Sequence, residues 1–276
     1  MKIHSRILSF LKYLSVITGS LIATVPILVV FIASFKSDSE FLDTNALKLP
    51  ENFLNFKNYI TAFIDGRMMI GFINTTLILV ISLTGAILIG TMVAYVISRF
   101  DFKFKKVILA AFLLATLIPG VTTQVATFQI VESLGLFNTR LAAIILYLGT
   151  DIIAIYIFIQ FMEGISISLD EAAMLEGASY IRIYGTIILP LVKPAIVTVM
   201  IIKGISIYND FYIPFLYMPK KSLQVVSTSL FKFIGPYGSN WEIISAAIII
   251  AIIPTLIIFL FLQKYIYNGF TAGSVK

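Results

Sequence analysis

Residues 72–97 read FINTTLILVISLTGAILIGTMVAYVI, an apolar run without a single Asp, Glu, Lys, Arg or His. Wound as a helix, a run of this length crosses the hydrocarbon core of a bilayer, about 30 Å. In lipid every backbone N–H and C=O must find its partner inside the segment, so a lone apolar stretch of this kind is read as a helix. Arg99, Lys103, Lys105 and Lys106 follow at once. Such a cationic cluster at the end of a span marks a short cytoplasmic loop. The span therefore runs from outside to inside.

Similar runs recur on both sides. The first span covers roughly Tyr13 to Phe35, and Lys2, Arg6 and Lys12 ahead of it place the N-terminus in the cytoplasm. A polar stretch, Lys36 to Arg67, lies outside. The third span is roughly Val107 to Ile130, interrupted by Pro119-Gly120, which is read as a packing kink ahead of a substrate site. An outer turn, Glu132 to Arg140, leads into the fourth, roughly Leu141 to Met162. An inner loop, Glu163 to Thr186, precedes the fifth, roughly Ile187 to Tyr208, with Pro190 and Pro194 near its start. An outer loop with Pro214, Lys220 and Lys221 leads to the sixth, roughly Trp241 to Tyr265, flanked by interfacial aromatics. The tail with Lys264 and Lys276 returns to the cytoplasm. The fold class expected is all-α, a multi-pass membrane protein with about six transmembrane helices and both termini inside. The organisation expected is an N-terminal tail, first span and outer loop over 1–71, a transmembrane domain over 72–265 holding the inner loop 163–186, and a tail over 266–276.

Composition agrees. Of 276 residues, 59% are hydrophobic and 12% charged, with a mean hydropathy of +1.00. A soluble domain of this length cannot hide that much apolar surface from water. The net charge of +6 follows from the inward bias of Lys and Arg rather than from nucleic-acid binding. Cysteine is absent and His4 is the only histidine, so no disulfide framework, thiol nucleophile or metal site is expected. The first apolar segment is too long for a cleavable signal peptide, and no small-residue cleavage site follows it. No G-x-x-x-x-G-K-[ST] phosphate loop occurs, so ATP would have to be hydrolysed by a partner. No cofactor and no catalytic residue is expected.

The inner loop carries the chemistry. It reads Ser168-Leu169-Asp170-Glu171-Ala172-Ala173-Met174-Leu175-Glu176-Gly177-Ala178-Ser179. The Ser168/Glu171 spacing is that of a capping box. Asp170 and Glu171 would lie in the first turn, where carboxylates favour the helix dipole. Ala172 to Leu175 are good helix formers, and Gly177 stands where the helix would stop. A short cytoplasmic helix is predicted, either lying on the membrane surface or docking on a partner.

Glu171-Ala172-Ala173, Gly177, Ile187 and Leu189-Pro190, at their spacing, resemble the EAA signature of the permease subunits of binding-protein-dependent ABC importers. Ala94-Tyr95 with Ser98-Arg99-Phe100, Leu134-Gly135-Leu136-Phe137-Asn138-Thr139, Tyr208-Asn209-Asp210, and the tail from Gln263-Lys264-Tyr265 through Gly269 to Gly273-Ser274-Val275-Lys276 are similar to segments of that family's carbohydrate branch, the maltose-permease-like subunits. Ser166 departs from the family's usual Pro and Glu176 from its frequent Asp. The resemblance implies the type I ABC importer transmembrane fold in the bacterial inner membrane. It implies that Glu171, Ala172, Ala173 and Gly177 carry the contact with the ATPase. The partners it implies are a second permease subunit, cytoplasmic ATP-binding subunits and an extracytoplasmic solute-binding protein, with membrane lipid around them. The expected cargo is a sugar or oligosaccharide. The alternatives are a permease for another solute, or an intramembrane enzyme, which would need a converging catalytic set.

Two ionisable residues fall inside spans: Asp151 near the middle of the fourth, and Lys203 in the fifth, somewhat outside its middle. A charge at the bilayer centre is costly and faces a partner charge or a cavity. The readings are an Asp151–Lys203 ion pair, a path-lining Lys203 that would favour acidic saccharides, or a misplaced span boundary.

Overall fold

The computed structural model describes residues 2–149, 151–235 and 238–272. Gly273 to Lys276, the end of the tail compared above, lie outside the described residues. Among the described residues three helices are long and apolar enough to cross a membrane: Ser9–Ala33 within α1 (Lys2–Ala33), α4 (Met68–Arg99), and Trp241–Phe261 within the last helix, Trp241–Ala272. Three bent pairs raise the number to as many as six. They are α5 (Lys105–Thr116) with α6 (Gly120–Ser133) at 101°, α7 (Arg140–Leu148) with α8 (Ile152–Glu163) at 42°, and Tyr180–Leu191 with α12 (Lys193–Asn209) at 73°. Among the described residues the strands amount to one antiparallel pair, Ile234↔Ser239 and Gly235↔Gly238.

The interruption expected at Pro119-Gly120 is present, and the fourth and fifth spans, read as continuous, are broken as well. At Pro119 the backbone is extended (φ −61°, ψ 130°), and a ring nitrogen without a hydrogen cannot extend the ladder. The chain turns through 101° there, far more than a packing kink. In the fourth span α7 ends at Gly149, and Asp151 is the N-cap of α8. A Gly followed closely by an Asp is a helix stop and start, and Asp151 is therefore a cap rather than a charge in mid-helix. In the fifth, α10 (Tyr180–Ile183) passes through a π-turn at Tyr184–Ile188 into α11 (Leu189–Leu191), and α12 follows Val192. Pro190 lacks the donor that a regular turn would use, and the wider turn ahead of it absorbs the defect.

The chain forms two compact units. The first comprises residues 1–69 and 229–256. In it α2 (Asp38–Asp43) and α3 (Lys57–Asp65) organise the stretch expected to be a polar outer loop. Lys36, read as a loop cation, is 1% exposed. Its Nζ donates to Thr44 Oγ1 (3.0 Å) and to the Asn45 carbonyl (2.8 Å). Asn58 Nδ2 donates to the carbonyls of Ser34 and Lys36. These bonds satisfy the backbone at the end of α1, where helical carbonyls are left without partners. Phe35 meets the rings of Phe31, Phe53, Phe56 and Tyr59 over this network. A capping box forms at Ser37/Glu40. The Ser37 N–H and the Glu51 N–H donate to the Glu40 carboxylate, and these bonds, the first above all, hold its pKa below the ordinary value.

The second unit comprises 70–228 and 257–276. Its core joins α4, α8 and α12 through Leu83, Ile87, Ile155, Phe158, Met162 and Val199, among others. Lipid is as apolar as leucine, so helices in a membrane associate through close packing and small residues rather than through escape from water. Ala94, Ala154 and Ala195 lie in this core. A Cβ added at Gly90 would meet Phe158 at 3.2 Å, so glycine is what lets α8 approach α4.

Candidate functional site

The inner loop folds as expected in outline. α9 (Ser168–Leu175) is a short helix, Gly177 ends it with φ +83°, and α10 begins after Ser179, whose hydroxyl accepts from the Arg182 N–H. The Gly177 N–H donates to the Met174 carbonyl and the Ala178 N–H to the Ala173 carbonyl. This closes the C-terminus through a left-handed residue, a position that favours glycine.

The expected capping box does not form. The N-cap is Ile167, and Ser168 is already helical. Ser166 Oγ instead accepts from the Ser168 N–H and pairs with the Ser168 hydroxyl at 2.7 Å. The reason is one of register: a capping serine needs an extended backbone one residue outside the helix, and here the helix starts earlier.

The four residues assigned to the ATPase contact do not share one face. Glu171, Ala172 and Gly177 are exposed, as is Leu175 at 91%, while Ala173 is buried in the core of the second unit. Asp170, read only as a first-turn carboxylate, is 4% exposed. Its Oδ2 lies 3.2 Å from Arg99 Nε at the end of α4, and its Oδ1 accepts from the Tyr95 hydroxyl at 3.3 Å. Aromatic contacts continue the junction: Tyr95 with Phe100 and Tyr184, and Phe100 edge-on to Tyr180 at 5.1 Å. Thr91 Oγ1 and the Tyr184 hydroxyl are 2.8 Å apart. In the sequence Arg99 stands only as one cation of the cluster that marks a short cytoplasmic loop. The signals in the sequence are its spacing from Tyr95, i and i+4 on one helical face, and the Ala94-Tyr95/Ser98-Arg99-Phe100 resemblance that joins the two.

Asp151 and Lys203 are brought together. Asp151 Oδ2 lies 3.5 Å from Lys203 Nζ, with side chains 32% and 9% exposed. Asp151 Oδ1 accepts from the Ala154 N–H, so one carboxylate both caps α8 and faces the cation on α12. Asp210, of the Tyr208-Asn209-Asp210 segment, accepts from the Tyr147 hydroxyl (2.8 Å) and the Tyr212 N–H (2.7 Å). It thus starts α13 (Tyr212–Tyr217) and ties it to α7. In the outer turn Gly135 (φ +68°) and Asn138 (φ +60°) supply the left-handed residues. Among the described residues no group of His, Cys, Asp and Glu could hold a metal ion.

Residues 86–271 match the family described as "Binding-protein-dependent transport system inner membrane component". The chain belongs to this family. The permease is 33% identical, over 96% of its length and 97% of the relative's, to the probable starch degradation products transport system permease protein AmyC of Thermoanaerobacterium thermosulfurigenes. It is 29% identical, over 99% of its length and 98% of the relative's, to the arabinooligosaccharides transport system permease protein AraQ of Halalkalibacterium halodurans. The trehalose/maltose transport system permease protein MalG of Thermococcus litoralis is also 29% identical, over 96% of the permease and 98% of the relative. A solved bacterial ABC transporter involved in the import of the acidic polysaccharide alginate superposes with a TM-score of 0.83 at 22% identity, covering 94% of the permease and 96% of that chain. That likeness shows the fold. The permease is thus an integral inner-membrane transport subunit of an ATP-driven importer and not an enzyme, and its family works with ATP-binding and solute-binding partners.

Proposed function

We propose that the permease moves a sugar or oligosaccharide, delivered by an extracytoplasmic binding protein, through a pathway shared with a second permease subunit embedded in lipid. The observation that carries the cargo class is the agreement of near-full-length relatives named for starch degradation products, arabinooligosaccharides, and trehalose or maltose. The exposed Glu171, Ala172 and Gly177 present the contact with the ATPase, and Ala173 seats α9 on its own bundle. A cleft closing on α9 would pull the loop inward and outward with each ATP cycle.

The burial of Lys203 beside Asp151 supports the ion pair as its resting role. An acidic saccharide is the second reading, in which a cargo carboxylate replaces Asp151 on Lys203. Radiolabelled uptake across a panel of neutral and acidic saccharides, in cells with and without the permease, tests the cargo. Uptake of at least one saccharide should fall to background without it, while amino-acid and phosphate uptake stay unchanged. Loss of amino-acid or phosphate uptake with every saccharide unaffected would overturn the sugar reading.

Both termini and α9 are proposed to face the cytoplasm. Topology reporters fused at Thr139 and Ser222 are expected to read outside, and one at Ser179 inside. An outside reading at Ser179 would remove α9 from the reach of any ATPase.

A further inference from the structure

The Arg99–Asp170 pair is buried on both sides, with side chains 5% and 6% exposed. Its hydrogen bonding is incomplete: Arg99 Nε and Nη2 and Asp170 Oδ2 are buried without a hydrogen-bond partner, so Nε and Oδ2 meet by charge but not in hydrogen-bond alignment. A buried pair in this state offsets its own desolvation poorly and is a weak source of stability. It does fix position. The carboxylate stands on α9 and the guanidinium on α4, 71 positions apart in sequence (170 − 99). Tyr95, one turn before Arg99, holds the other carboxylate oxygen. Ala94, immediately before Tyr95, is fully buried and adds little bulk at the junction. Phe100 against Tyr180 and Thr91 against Tyr184 fasten the segment after α9 to the same end of α4.

We infer that Tyr95, Arg99 and Asp170 form the clasp through which displacement of α9 by the ATPase is passed to α4, so that α9 and the inner half of α4 move as one body. The inference rests on the reading of α9 as the ATPase contact. Arg99 and Asp170 are positioning residues: neither is among the exposed residues offered to the partner. Arg99 meets the carboxylate through Nε rather than through a terminal nitrogen, a contact that a lysine ammonium does not reproduce.

The test uses the whole importer, reconstituted in proteoliposomes with its ATPase and binding protein, and reads labelled saccharide imported per ATP hydrolysed. Arg99→Lys and Asp170→Asn should lower that ratio about tenfold, within the range of couplings between distant sites, with the ATPase still copurifying. The exchanged pair Arg99→Asp/Asp170→Arg should recover part of the ratio. Lower yield with a normal ratio in the complexes that remain would mean that the pair only supports folding, and would overturn the proposal. Failure of the ATPase to copurify with the unaltered permease would instead count against the contact reading itself. A measurement independent of these variants is available because the chain contains no cysteine. Spin labels on Ser168→Cys and Val96→Cys, both exposed positions, should give the same distance in the nucleotide-free and ATP-locked complexes. A change of about 5 Å, one helical turn, would show α9 sliding past α4 and would overturn the clasp.

Discussion

Cells carrying Gly177→Asp are expected to insert the permease at the unaltered level and to lose ATP-driven uptake. A Cβ built at Gly177 meets nothing within 4 Å, so the new side chain has room within its own chain. The backbone at φ +83° strains any other residue, by about 1–2 kcal/mol for most and less for Asp, which visits this region more readily. Folding should therefore survive. The carboxylate would project from the exposed end of α9, where the ATPase is proposed to close on it. Truncating or obstructing a central contact costs about 2 kcal/mol or more, and every 1.4 kcal/mol is about tenfold in affinity. Copurification of the ATPase and saccharide-stimulated ATP hydrolysis should both fall by at least about tenfold. Normal values for both would make the loop a surface turn with no part in coupling.

The second large effect is expected at the Asp151–Lys203 pair, and it should be asymmetric. Asp151→Asn leaves Lys203, 9% exposed in its side chain, without a counter-charge; Lys203→Met leaves Asp151, 32% exposed, with access to solvent and with the Ala154 N–H still bonded. Removing one partner of a fully buried pair costs about 3–5 kcal/mol. The partial exposure of Asp151 lowers the expectation to about 2–3 kcal/mol for Asp151→Asn, with Lys203→Met below it. The double variant Asp151→Asn/Lys203→Met should regain part of the loss in a cycle scored on both complex yield and uptake. Should Lys203→Met alter uptake at full yield, with no rescue from Asp151→Asn, Lys203 lines the path and meets cargo directly. Small additive effects on both scores would contradict burial of the pair.

The sequence made some of this architecture plain and hid the rest for physical reasons. The long uninterrupted runs of α1, α4 and the last helix are legible because hydropathy over some 20 residues is the signal itself. The break in the fourth span is not, since a window of that length averages across Gly149 and Asp151 and reports one span where two helices meet, whereas Pro119-Gly120 is legible as an interruption and only the size of its turn is not. The loop helix was legible from composition and Gly177, but its first turn was placed one residue late. The same S-x-x-E spacing does build a capping box at Ser37/Glu40, so spacing alone does not choose between sites. The burial of Arg99, Asp170 and Lys36 is not legible, because a charge in a loop or at the end of a span shows its partner only once the chain is folded. Burial of a cation depends on acceptors distant in sequence or, for Lys36, on a loop that folds back to supply Thr44 and the Asn45 carbonyl.

The most direct test of the account is import measured beside ATP hydrolysis in proteoliposomes holding the permease, its partner permease and its ATPase. The account predicts that a labelled oligosaccharide accumulates inside only when ATP and the binding protein are both present, and that hydrolysis rises with accumulation. Equilibration of the saccharide without ATP would mean a channel, and hydrolysis that proceeds while no saccharide enters would contradict the assignment of this chain as the sugar-translocating subunit.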